Sequence, residues 1–92
     1  PQPSLFFLLT HTHYMKVTIV SPEKTLFEGE ADGVKLPGEM GRFEVLKGHA
    51  PIISTLTEGE VVCEGSQPFG VKVSGGFVEV ALNEVTICVE TL

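Results

Sequence analysis

Residues 36–56 read LPGEMGRFEVLKGHAPIISTL, and they hold three glycines, two prolines and a histidine between short apolar runs. Glycine permits positive φ, whereas proline fixes φ and removes a backbone donor. A segment that alternates such residues with apolar pairs is a set of shaped turns between short strands. GRFEVL is the first of these strands: Phe43 and Val45 share one face, and Arg42, Glu44 and Leu46 share the other. After the Gly48-His49-Ala50 turn, PIISTL forms the next, closed by Thr57-Glu58-Gly59.

The same period of two extends outward in both directions. Upstream, Val17 and Ile19 alternate with Lys16 and Thr18, a Ser21-Pro22-Glu23 turn follows, and TLFEGEADGVKL is extended chain with bends at Gly29 and Gly33. Downstream, EVVCE, FGVKVSGG, FVEVAL and VTICVE are short alternating runs bounded by turn residues. From Met15 to Leu92 no window carries an apolar stripe at helical spacing, and β-branched residues dominate the apolar set. The expectation is an all-β domain, a sandwich of two antiparallel sheets whose core-facing sets are Val71 and Val73, Val78 and Val80, then Val85, Ile87 and Val89.

Composition narrows the function. A chain of 92 residues holds one small core, and 42% hydrophobic against 20% charged residues excludes the disordered class. Twelve acidic and six basic residues, net −6, oppose nucleic acid or anionic lipid as partner, because phosphate binding needs clustered Lys and Arg. Cys63 and Cys88 have neither CxxC spacing nor nearby histidines, so they are read as small reduced core residues.

Residues 1–14, PQPSLFFLLTHTHY, carry no charged side chain, and the apolar run Leu5 to Leu9 is too short to span a bilayer. They also lack the basic start and small-residue cleavage site of a signal peptide. The reading places the native start at Met15, with residues 1–14 a non-native or frayed leader in which His11 and His13 lack a third ligand. Residues 15–92 form the domain.

Chemistry is sparse. His49 is the lone histidine of the domain, and it stands in a turn without a nucleophile beside it. Gly38 and Gly41 lack the lysine and following helix of a phosphate-binding loop. Glu58, Glu60 and Glu64 have neither the number nor the spacing of calcium ligands. No catalytic residue, cofactor or metal is expected.

IVSPEKTLFEGEADGV, LPGEMGRFEVLKGHAPIIS and VSGGFVEVALNEVTI, in this order and at these distances, closely resemble the N-terminal domain of the epsilon subunit of bacterial F-type ATP synthases, from about Met15 to Thr91. The resemblance implies a β-sandwich of about ten strands on the central stalk. It would grip the gamma subunit on one side and the polar loops of the membrane c-ring on the other, at the cytoplasmic face of the bacterial inner membrane. Contact with the membrane would be only indirect, through the c-ring. Carried over by position, the turn from Gly38 to Glu44 corresponds to the c-ring-facing loop, with Glu39, Met40 and Arg42 exposed. Ser21, His49 and Ser54 correspond to the gamma contacts.

The chain departs from the family pattern at Glu44, where glycine is common, at Lys47, where proline is common, and at Arg42, where some relatives are acidic. Longer members continue into a helical hairpin that regulates ATP hydrolysis. This chain stops at Leu92, so the expectation is a short form that couples without that switch. Met40, Ile52 and Ile53 are candidate apolar anchors for an interface, ordinary core being the alternative for the two isoleucines. A second reading, a free-standing β-sandwich module for peptide or carbohydrate, asks for exposed aromatics, yet the chain has no Trp and its one Tyr is Tyr14.

Overall fold

Met15, Val17 and Ile19 are buried while Lys16 between them is exposed, so the first strand sinks one face into the core, as its alternation requires. The structure is a computed structural model and describes residues 15–92. Residues 1–14, with His11 and His13, lie outside the described residues.

Eight strands follow one another: β1 Met15–Val20, β2 Thr25–Ala31, β3 Gly33–Gly38, β4 Gly41–Leu46, β5 Ile52–Leu56, β6 Gly59–Glu64, β7 Phe69–Ala81 and β8 Glu84–Thr91. They hydrogen-bond in the order β2-β1-β8-β7-β5-β3-β4, with β6 between β3 and β7. One layer is therefore β2-β1-β8-β7-β5 and the other β4-β3-β6-β7. The core cluster draws on both, from Ile19 and Ile87 to Leu36 and Val61, and valine is its commonest member. β-branched side chains are stiff at χ1 and pack well on a pleated surface, which makes this composition a strand-forming one.

The all-β expectation holds, with two differences of detail. Eight strands stand where about ten were expected, and the Ser74-Gly75-Gly76 segment bends a strand instead of ending one. Phe69–Val73 of β7 pairs with β6, whereas Gly76–Val80 pairs with β5, so one strand serves both layers. The register slips between Val73 and Gly75, and Gly76 has φ +149°. The second difference is a parallel pair, β1 on β8, from Lys16↔Glu84 to Val20↔Cys88. These are the first and last strands, so no hairpin turn dictates their direction. Of the expected core set, Val73, Val78, Val80, Val85, Ile87 and Val89 are buried; Val71, in the half of β7 beside β6, is half-buried.

Between β6 and β7 the loop reaches across to the edge strand β2. Gln67 Oε1 accepts the Glu30 amide at 3.1 Å, and Phe69 stacks on Phe27 with ring centroids 4.9 Å apart. Cys63 is buried and free, and Cys88 is half-buried and free.

Gly76 is the tightest point. A Cβ there would strike the Cys88 carbonyl oxygen and lie 2.8 Å from Val89 Cα, both backbone atoms of β8 that cannot swing aside. Gly76→Ala is expected to cost about 2–3 kcal/mol, read as a lower urea midpoint. At Gly75 a Cβ would sit 3.5 Å from Leu56 O, an ordinary contact, so Gly75→Ala stays within about 1 kcal/mol.

Burial pushes the Cys63 thiol up from 9.0 to about 11. The unfolded chain would ionise first as pH rises, so this group leaves stability unchanged below about pH 9 and lowers it between 9 and 11. Native Cys63 is expected to resist alkylation at pH 8 while Cys88 reacts, which mass spectrometry of the labelled chain distinguishes.

Candidate functional site

Among the described residues no polar or charged side chain is buried, and no three His, Cys, Asp or Glu side chains converge to hold a metal. The features left are on the surface, and they differ between the two layers. The outer face of β4-β3-β6 is charged: Lys35 Nζ pairs with Glu64 at 3.2 Å and faces Glu44 across β4. The outer face of β1-β8-β7-β5 presents Val20, Cys88, Phe77 and Thr55 in adjacent register. Ile53 stands in the next row, opposite Glu79.

At one end of that face the β3–β4 hairpin turns through Glu39 and Met40. Neither has positive φ, and the reversal is completed at Gly41, φ +121°. Met40 is left wholly exposed. Beside the hairpin runs β5, in which Ile53 is 76% exposed and Ile52 and Ser54 are half-buried. Between them lies a groove of about 470 Å³, lined by Met40, Arg42, Phe43, Ile52, Ile53 and Ser54 among others. Arg42 is not free in this groove: its Nη1 donates to the Glu60 carbonyl at 2.8 Å.

A second groove, of about 420 Å³, opens where the β1–β2 turn meets the same face, and Val20, Ser21, Pro22, Phe77 and Cys88 line it. Ser21 is occupied by its own turn, accepting the Lys24 amide on Oγ at 3.3 Å. Thr55 of the first groove and Phe77 of the second are direct cross-strand partners, so the two grooves flank one continuous surface.

Of the residues expected from sequence, the structure brings Ser54 together with Glu39, Met40 and Arg42 in one groove, and puts Ser21 in the other. His49 lines neither. It is half-buried in the β4–β5 loop, where Nδ1 donates to Ala50 O at 2.7 Å and its amide donates to Leu46 O. The adjacent Gly48 amide donates to Asn83 Oδ1 at 3.0 Å, which ties this loop to the β7–β8 turn. Phe77 was missed by the sequence reading and is 46% exposed. Its signal was available: in FVEVAL, Val78 and Val80 take the core face, which leaves a phenylalanine on the outer one.

The family described as the ATP synthase delta/epsilon chain β-sandwich domain matches residues 14–92. The chain is 41% identical over 76 residues to the ATP synthase epsilon chain of Leptospira borgpetersenii, covering 82% of this chain and 60% of that one. It is 44% identical over 80 residues to the epsilon chain of Francisella tularensis, covering 86% and 55%. The chain belongs to the ATP synthase delta/epsilon β-sandwich family, and it spans a little over half the length of these curated relatives. Its fold also matches a chain in the Tetrahymena thermophila mitochondrial ATP synthase central stalk and c-ring structure, with TM-score 0.73 and 17% identity, over 83% of this chain and 63% of that one. A chain of the Euglena gracilis mitochondrial ATP synthase gives TM-score 0.76 and 20% identity, over 83% and 50%.

Exposed apolar residues and core residues are separable by stability. Met40→Ser and Ile53→Ser are expected to shift unfolding by no more than about 0.5 kcal/mol, whereas Ile87→Ala in the core costs about 2–5 kcal/mol. Thermal denaturation of the three variants makes the comparison.

Proposed function

We propose that this chain is a non-catalytic central-stalk subunit of an F-type ATP synthase. It links the gamma subunit to the c-ring and so couples proton transport to ATP synthesis, as a peripheral component at the cytoplasmic face of the bacterial inner membrane. The observation that carries the reading is the pair of apolar grooves on one outer sheet face, in a chain of this family. Met40 and Ile53 are large apolar residues held in water by a well-packed scaffold, which is the makeup of an interface anchor.

The work of such a subunit is mechanical. Rotation reaches the chain through surface contacts, and the doubly paired β7 carries load between the layers without a hinge. Residues Glu39, Met40 and Arg42 face the c-ring; Ser21, Ser54 and the His49 loop face gamma. The Arg42 guanidinium is held on the Glu60 carbonyl, so the hairpin offers a partner loop Glu39 at its tip and a fixed positive charge behind it. Rim charges of this kind set specificity and association rate more than total affinity.

The test is reconstitution of residues 15–92 with the gamma subunit and c-ring of the same organism. The wild-type chain should co-purify with the assembly. Met40→Asp should weaken retention by on the order of tenfold or more without altering the fold, because Met40 is wholly exposed in the free chain. A well-folded wild-type chain that fails to join either partner contradicts the proposal.

A further inference from the structure

β5 differs from every other strand in one respect. Ile52-Ile53-Ser54-Thr55-Leu56 contains no charged residue, while each of the other seven strands carries at least one. Its pairing is also one-sided. Along one side it meets β7 from Ile52↔Val80 to Leu56↔Gly76; on the other, a single pairing, Gly38↔Leu56, touches β3. The Thr57 amide reaches across that second side to Pro37 O at 2.8 Å. By the alternation of a strand, the N–H and C=O groups of Ile53 and Thr55 face the same open side.

Open edges are hazards that proteins blunt with charge or cover, and the other open edges here are blunted. β2 carries Glu28 and Glu30, and Gln67 takes the Glu30 amide. β4 carries Arg42 and Glu44, and the half of β7 beside β6 carries Lys72. Among the described residues no charged side chain guards β5: the Ser54 hydroxyl donates to Thr55 O at 3.2 Å, and the open side, with the Ile53 and Thr55 amides, gives onto the groove of about 470 Å³ where Phe43 and Ile52 are half-buried.

We propose that β5 is a docking edge: an extended segment of a partner protein adds as a strand beside Ile52–Thr55, and its alternate side chains enter the groove against Phe43 and Ile52. The segment is apolar at every second position and basic at its flanks. Two carboxylates, Glu39 in the groove and Glu79 opposite Ile53, outnumber the one cation lining it, Arg42, whose guanidinium is held on Glu60 O. A second copy of this chain, itself of net charge −6, would set like charges against these carboxylates, so the occupant is a different protein. The inference rests on the reading of this groove as a stalk interface and adds the mode of binding.

Amide hydrogen exchange tests it, measured on the full chain alone and on the chain assembled with the gamma subunit and c-ring of its organism. On assembly the Ile53 and Thr55 amides should slow by on the order of tenfold or more, and those of Ile52 and Ser54, already turned toward β7, should change less. Ile53→Lys should weaken assembly by on the order of tenfold or more with an unchanged unfolding midpoint. Assembly without slowing at Ile53 and Thr55 overturns strand addition and leaves the stalk reading in place. Slowing already present in the free chain shows the edge covered by a second copy or by the chain's own residues, and also overturns it. Failure of a folded chain to assemble overturns both.

Discussion

At Gly76 two strands approach so closely that only a hydrogen atom fits between the β7 backbone and the Cys88 carbonyl. Here β7 leaves β6 and joins β5 while keeping its pairing to β8. The two layers are thus one hydrogen-bonded sheet folded over itself, closed through β7-β6-β3 and the single Gly38↔Leu56 contact. The core depends on that crossing: Val73 and Val78, on either side of it, are both fully buried. A bend with a Cβ would hold the strands apart, and the valine faces would lose contact with each other.

The closed sheet explains why the surface is divided as it is. Charges are concentrated where backbone edges are open or where the outer face meets water, as in the Lys35–Glu64 pair and the Glu28, Glu30 edge. On the outer face of β1-β8-β7-β5 the charged Lys16, Glu84 and Glu79 lie toward one end, and the row Val20, Cys88, Phe77 and Thr55 is uncharged. Such a distribution suits a scaffold whose role is to be gripped: rigid within, apolar where partners sit, and protected against its own edges elsewhere.

Much of this was legible from residue order. The alternation in MKVTIV, FVEVAL and VTICVE foretold which residues would be buried, because strand side chains alternate faces with a period of two. The turn after Leu36 followed from Pro37-Gly38, whereas the exposure of Glu39 and Met40 was what the family resemblance implied. Less legible were the SGG segment, which has the composition of a turn but acts as a bend within β7, and His49, whose turn position hid its hydrogen bonds to its own loop. The grouping of Ser54 with Met40 and Arg42 spans the β4–β5 connection and has no sequence signature.

The sequence by itself determined the strand class, most of the core and most of the turns, since all three are local consequences of side-chain shape, polarity and φ preference. The tertiary structure alone decided which strands meet: the parallel union of β1 with β8, the passage of β7 between layers and the open side of β5. Those depend on pairing between residues far apart in the chain, where backbone hydrogen bonds are the same for every residue. Only the packing of the whole core selects among the possible partners.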